Sequence, residues 1–309
     1  MACVTIDCDY VYPQFAGAYL VHADGRGYFV ENNTAHAVPR LLQACQTSGV
    51  SPDAVDFLII THVHLDHAGG TSTLLAHCPN ATVLAHPRAA RHLVDPSRLV
   101  GSARQVYGDA VFEKLYGRVD PIPAPRVREM TDGERLTWQG RELCFWHTRG
   151  HANHHFVVHD EKEDAVFTGD AFGIMYPALQ KHGLFIFPST SPTDFDAEAA
   201  REAVRKIVGL GARTALLTHF GGLTAQREAA DQLIGHLDFS EGLMLEAEKS
   251  GRSDEELTAF CREKLQTHFV TTWEATRPAM SGAESTLLKL DLDLNAAGLA
   301  YAAVKRRQR

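Results

Sequence analysis

Residues 56–70 read DFLIITHVHLDHAGG, and His62, His64, Asp66 and His67 place three imidazoles and a carboxylate within six positions. An ordinary polar turn has no need of that set. In an extended segment His62 and His64 project to one side, so their rings can converge on one ion. Asp66 and His67 follow where the chain turns and can serve a second ion beside it. The spacing therefore points to metal-ion chemistry, and a metal bound there would stabilise the fold as well as act. Phe57–Ile60, short and rich in β-branched residues, reads as the buried strand that delivers the cluster, while Gly69 and Gly70 let the backbone turn into the next helix.

Three further short apolar runs end in a residue that can bind metal. Leu143–Phe145 leads through His147 to the turn Arg149-Gly150-His151, Ala165–Phe167 is followed by Asp170, and Ala215–Leu217 delivers His219. Ahead of the first cluster, Val4–Cys8, Ala18–Val21 and Gly27–Glu31 read as antiparallel strands with a hairpin at Ala23–Gly25, followed by a helix over Ala35–Gln46. Between the clusters come a short helix Thr71–Ala76, a strand Thr82–Ala85 and a helix from Pro87 to Val94. Asp95–Gly117 mixes helical fragments with Pro and Gly and resembles a lid or side layer. Leu136–Trp138 and Phe156–Val158 are further strands. Asp194 is expected to cap a helix over Phe195–Val208, and Ala225–His236 is another helix. Beyond Leu237 the chain reads as helical (Glu241–Lys249, Asp254–His268, Gly298–Arg306). Strand–loop–ligand, four times over with helices between, predicts two sheets packed face to face with helices outside and the ligands at one edge.

A chain of 309 residues with 45% hydrophobic and 22% charged content is an ordinary globular protein. Its formal charge of −8 disfavours a nucleic-acid binder, which needs a basic face. Only the tail Lys305–Arg309 is basic, and it reads as a solvated helix end. The six cysteines have no framework spacing, which predicts reduced, mostly buried thiols and a cytoplasmic protein. The opening MACVTIDCDY carries no basic region before an apolar run, so no secretory signal is expected. No apolar stretch approaches the length of a membrane span.

HVHLDH followed by Gly-Gly, then Gly150-His151, Gly169-Asp170 and a histidine after a strand, resembles the metallo-β-lactamase-fold hydrolases over roughly residues 15–222. The resemblance implies an α+β fold, the four-layer αββα sandwich, with a C-terminal helical extension here. It divides the chain into a catalytic domain over 1–236 and an extension over 237–309 packed on it. It implies that His62, His64 and His151 hold one metal, that Asp66, His67 and His219 hold a second, and that Asp170 bridges them. Such donors suit two divalent ions, zinc first, with iron or manganese as alternatives. The resemblance is strongest to the branch near glyoxalase II and the quorum-sensing lactonases. Two departures stand out. Arg149 replaces the proline of the family's Thr-Pro-Gly-His, which loosens that loop, and His154 stands where glycine is common. Flavin-linked diiron members have Glu at the second motif histidine, which His64 opposes.

The implied activity is hydrolysis of a small ester, lactone or thioester, with Asp66 and Asp170 orienting the nucleophile as well as binding metal. The alternatives are a mononuclear iron sulfur dioxygenase acting on a thiol or persulfide, and a non-catalytic metal-binding sensor. Tyr176, in the aromatic stretch Ala171–Pro192, is placed to donate its hydroxyl to a substrate oxygen, and Phe172, Phe185 and Phe187 to line a pocket mouth or pin the loop. His155 and His147 are assigned to supporting roles behind the ligands, and His86 and His92 to a helix terminus and the surface. Cys3 and Cys8 lack a second pair for a zinc knuckle. The expected partner is a small molecule, with no nucleic acid and no membrane; a homodimer is left open.

Overall fold

The computed structural model describes residues 2–190 and 193–308. The chain divides into two compact units. The first comprises Met1–His147, His154–Gly169 and Leu210–Thr224, and the second Thr148–Asn153, Asp170–Gly209 and Ala225–Arg309.

The first unit holds two six-stranded sheets. One runs in the order β1 (Ala2–Asp7), β2 (Gly17–Ala23), β3 (Arg26–Val30), β4 (Val55–Ile60), β5 (Thr82–Ala85), β6 (Val127–Glu129). Its first three strands are antiparallel and β3 to β6 are parallel. The other runs β12 (Gly221–Leu223), β11 (Thr214–Leu217), β10 (Ala165–Gly169), β9 (Phe156–Asp160), β8 (Arg141–His147), β7 (Arg135–Trp138). It is antiparallel except for the parallel pair β10–β11.

Side-chain alternation explains the apolar runs. On β2, β3, β4 and β5, Leu20, Phe29, Leu58, Ile60 and Val83 join one core with helix α1 (Val38–Thr47). Tyr19, Tyr28, Ile59 and Leu84 point the other way, into a second core shared with Phe145, Phe156, Val158 and Phe167 of the second sheet. A sheet buried on both faces has no polar side to show. The second core encloses an ion pair with no exposed surface: Arg141 Nε donates to Asp160 Oδ2 at 2.9 Å, and the Tyr28 hydroxyl donates to the same carboxylate at 2.9 Å. All six cysteines are free thiols, and all but Cys3 are buried.

Sequence boundaries hold best where a breaker marks them. α4 spans Pro87–Val94 and β5 Thr82–Ala85, as expected. The fragments after Asp95 are two helices, α5 (Ser97–Tyr107) and α6 (Asp109–Tyr116), following the short α2 (Leu65–Ala68) and α3 (Thr71–His77). Strands β6 and β12 were not anticipated; each has three residues, too few for a period to show.

The second unit carries α7 (Ala197–Gly209), α8 (Gln226–Lys249), α9 (Asp254–Glu274) and α10 (Gly282–Arg307). The cap of α7 is Asp196, whose Oδ1 accepts from Ala199 N at 3.1 Å; the expected Asp194 instead accepts from Asn153 N at 3.0 Å. Helix α8 runs unbroken through residues 236 and 237, where the extension was expected to begin. Ser253 with Glu256 and Ser281 with Glu284 form capping boxes that start α9 and α10. The stretch after Asp170 packs on these helices, its last two residues, 191 and 192, lying outside the described ones. Phe185 lies 5.2 Å from the Trp273 ring and Phe187 5.3 Å from Phe269. No helix among the described residues is long and apolar enough to cross a membrane.

Helices α8 and α9 meet at a histidine pair, His236 Nδ1 lying 2.9 Å from His268 Nε2. Burial, then the His268 ring, lowers His236 to about 3, and burial lowers His268 to about 4. In the unfolded chain both titrate near 6.5, so the unfolded state takes up protons first as pH falls. Their contribution is complete above about pH 6.5 and is lost toward pH 4, at no more than about 1.4 kcal/mol per pH unit for His236 and less for the part-exposed His268. Urea unfolding at a series of pH values is expected to show this slope, and His236→Phe to flatten it.

Candidate metal centre

Strand β4 ends at Thr61, and the loop beyond it alternates. Val63 turns into the core beside Leu58 and Ile60, which sends His62 and His64 the other way. His62 Nε2 lies 3.0 Å from His64 Nδ1. The single hydroxyl proton of Thr61 goes to Glu31 Oε1, so toward His62 Nδ1, at 3.1 Å, that oxygen accepts. Nδ1 of His62 therefore carries the ring proton and Nε2 keeps its lone pair. His64 stands at the N-terminus of α2, where its carbonyl accepts from His67 N at 3.0 Å and Ala68 N at 2.9 Å. That single turn brings Asp66 and His67 round together.

His219 follows β11. Its Nδ1 lies 2.8 Å from the Phe15 carbonyl, which can only accept, so Nδ1 holds the proton and Nε2 presents a lone pair. That lone pair faces Asp66 Oδ2 at 3.5 Å. In the second unit His151 repeats the arrangement: Nδ1 faces the Ser189 carbonyl at 3.3 Å, and Nε2 faces Asp170 Oδ2 at 3.5 Å. An imidazole lone pair against a carboxylate oxygen requires a cation between them, either a proton or a metal ion. In the first unit the donor atoms of Asp66, His67 and His219 lie within 4.8 Å of one another, as do those of Glu31, His62 and His67. Buried nitrogen and oxygen donors at this spacing fit a divalent ion.

Glu31 is the residue that sequence reasoning missed. It is 1% exposed, and its Oε2 lies 3.5 Å from His67 Nδ1. The segment it opens, Glu31-Asn32-Asn33-Thr34, wraps the ligand loop: Asn32 N donates to the His67 carbonyl at 3.0 Å, and Asn33 Nδ2 donates to the Asp66 carbonyl at 2.9 Å. The available signal was four polar residues directly after a buried strand. Glu31 and Asn33 take left-handed φ values of 66° and 54°, which only a tightly determined turn holds.

The histidines assigned to supporting roles lie close to the ligand loop, meet a backbone carbonyl or cap a helix. His155 is buried with its ring 4.9 Å from His62. His147 Nε2 lies 2.9 Å from the Met130 carbonyl. His86 caps α4 by accepting from Arg88 N at 3.0 Å. It is buried, however, and burial, then the His147 ring 4.0 Å away, lowers it to about 4.

Of the two readings of the aromatic insert, the structure agrees with the pinned loop. Phe172, Phe185 and Phe187 have no exposed surface, and the Tyr176 hydroxyl donates to Asp291 Oδ1 of α10 at 3.1 Å. Hydrophobic packing on the helices outcompetes any role at a pocket mouth. The rings near Asp66 come from elsewhere. Phe15 stands 5.4 Å from the His219 ring and 5.7 Å from Tyr10; Tyr10 is 6.3 Å from Tyr116, and Tyr116 is 6.1 Å from Tyr107. Burial, then the Asp66 carboxylate, raises the Tyr10 and Tyr116 phenols above their ordinary range, and burial raises Tyr107. All three keep their protons, and the hydroxyls bond in series, Tyr10 with Tyr116 and Tyr116 with Tyr107.

A family model described as Metallo-beta-lactamase superfamily matches residues 38–219. The metallo-beta-lactamase fold-containing protein ST1585 of Sulfurisphaera tokodaii is 27% identical over 185 residues, 59% of this chain and 66% of that protein. The crystal structure of ST1585 from Sulfolobus tokodaii superposes with a TM-score of 0.65 at 21% identity, covering 96% of this chain and 98% of that one. A metallo-beta-lactamase family protein of Thermus thermophilus, TTHA1429, superposes with a TM-score of 0.64 at 21% identity, covering 99% and 93%. The hydroxyacylglutathione hydrolase of Aeromonas hydrophila subsp. hydrophila is 27% identical over 117 residues, 38% of this chain, and the match spans only 33% of that protein's length.

The backbone permits the ligand loop only because residue 70 is glycine. A Cβ there would stand 2.6 Å from the Thr34 carbonyl oxygen and 2.8 Å from that of Asn32. Gly70→Ala is expected to cost about 1–3 kcal/mol in urea unfolding, with the loss present in metal-free protein.

Proposed function

The chain belongs to the metallo-β-lactamase superfamily and has its αββα sandwich followed by C-terminal helices, and from that premise we propose that it is a hydrolase of a small ester, lactone or thioester with a dinuclear metal centre. The observation that carries this reading is the repeated contact of an imidazole lone pair with a carboxylate oxygen, His219 with Asp66 and His151 with Asp170. His62, His64 and His151 would hold one ion, and Asp66, His67 and His219 the other. Asp170 would bridge them, in line with the order of the motifs along the chain. When bound, a pair of zinc ions would supply a water nucleophile at neutral pH and polarise the substrate carbonyl.

The protein's own groups do the rest. The Phe15 and Ser189 carbonyls hold Nδ1 protons on His219 and His151, so each Nε2 is ready without reorganisation. Asp66 and Asp170 supply negative charge where the ions would sit and can accept the proton released by water. Tyr10, Tyr107 and Tyr116 offer ring faces and a chain of neutral hydroxyls beside Asp66, a surface suited to the carbonyl-bearing acyl part of a small substrate. Tyr176, held on Asp291, is assigned to the packing of its loop. The name hydroxyacylglutathione hydrolase, borne by one relative, agrees with attack on an acyl carbonyl.

Metal analysis of saturated protein is expected to give two divalent ions per chain, with Asp170→Ala weakening both and His219→Ala chiefly one. Single turnover in oxygen-18 water should place one label in the acid product. A single ion per chain, with oxygen consumed on a thiol or persulfide and no carbonyl substrate cleaved, would replace the hydrolase with the dioxygenase.

The substrate wall has its own test. Tyr107→Phe, which removes the hydroxyl at the end of that chain of hydroxyls, should raise KM about 2- to 10-fold, as loss of one neutral hydrogen bond implies, with little change in kcat. Phe185→Leu should lower stability by about 1–3 kcal/mol and leave the ranking of substrates unchanged.

A further inference from the structure

Helix α10 carries two buried polar residues, Asp291 and Asn295, on a face that otherwise packs through Leu288, Leu292 and Leu299. Polar groups are buried at a cost unless they are matched, and the partners of Asn295 are all backbone or side-chain atoms of one short segment. Asn295 Oδ1 accepts from Thr190 N at 2.7 Å, and its Nδ2 donates to the Pro188 carbonyl at 3.0 Å. The Thr190 hydroxyl donates to the Asn295 carbonyl at 3.2 Å. These three bonds bracket Ser189, whose carbonyl faces His151 Nδ1.

We infer that Asn295 is a positioning residue for His151: it fixes the peptide whose carbonyl holds the Nδ1 proton of that ring and so aims Nε2 at Asp170. The relevance to metal rests on the ligand role proposed for His151. Both side-chain atoms of Asn295 are used in opposite senses, acceptor to Thr190 and donor to Pro188, so only a carboxamide satisfies the segment. The opposite end of the same loop is tied differently, by Tyr176 on Asp291, a bond that does not touch residues 188–190. The backbone of the His151 turn has a tie of its own at Gly150. Asp196 N donates to the Gly150 carbonyl at 3.0 Å, and Gly150 sits where a Cβ would lie 2.2 Å from Ala200 N. Asp196 and α7 thus hold the backbone at Gly150, and Asn295 of α10 holds the carbonyl that faces the His151 ring.

The test is the tautomer of His151, read from long-range nitrogen–proton NMR of protein with labelled histidine and assigned with His151→Gln. Metal-free parent protein and Tyr176→Phe should both show the Nδ1–H form. Asn295→Leu and the isosteric Asn295→Asp, checked as folded by circular dichroism, should lose it. Retention of the Nδ1–H form in either folded Asn295 variant would overturn the inference. Cobalt titration against a chelator then adds the metal: the Asn295 variants should bind one ion at least about tenfold more weakly and shift its visible spectrum, while Tyr176→Phe loses only stability. Parental cobalt affinity and spectrum in both Asn295 variants would likewise overturn it. A parent protein that binds no metal would refute the proposed metal centre, and the tautomer result would still decide the role of Asn295.

Discussion

A carboxylate sealed from solvent must be met by donors or counter-charge, and Glu31 imposes that demand at the centre of the first unit. Thr61, at the end of β4, answers it on one oxygen and His67, on α2, approaches the other. Those two residues flank the ligand loop on either side, so satisfying Glu31 also sets the span of that loop. The same hydroxyl that serves Glu31 fixes the proton of His62. One buried side chain thereby helps position two candidate ligands, His62 and His67. The left-handed turn that follows it lets the Asn32 and Asn33 groups grip the loop from behind.

Much of this was legible in the sequence, and the reason differs by level. Strand β4 and the histidines after it announce themselves because period-two alternation and ligand chemistry coincide in consecutive residues. Helix α4 and its cap were legible because Pro87 at the first turn and the preceding histidine are local signals. Glu31 was not, since its meaning comes from Thr61 and His67, thirty or more residues away. Phe185 and Phe187 left two readings open for the opposite reason. Aromatics in a segment without a period look like a pocket, and only the apolar faces of α8 and α9 show what covers them. The phenols beside Asp66 were hidden because Tyr10, Tyr107 and Tyr116 belong to three separate elements with no common spacing.

The helices after Thr224 have an internal logic that composition alone does not disclose. Leu257, Cys261, Leu265, Phe269 and Trp273 repeat every four residues along α9, a stripe that packs beside α10 and α8. Against that apolar background, Asp291 and Asn295 select which loop may lie on α10, because only a segment with the right donors and acceptors satisfies them. Hydrophobic burial holds the bundle together and two polar residues give it specificity.

The free thiols bear on metal choice. Burial pushes Cys45 and Cys261 up to about 11 and Cys3 and Cys78 to about 12, so sulfur in this chain remains protonated at neutral pH. A thiol that keeps its proton is a poor ligand. A soft ion such as copper(I) would first have to displace that proton inside an apolar core, whereas Nε2 of His151 and of His219 already carries a lone pair. Core packing thereby weighs against sulfur as a ligand, at positions remote from the imidazole and carboxylate cluster.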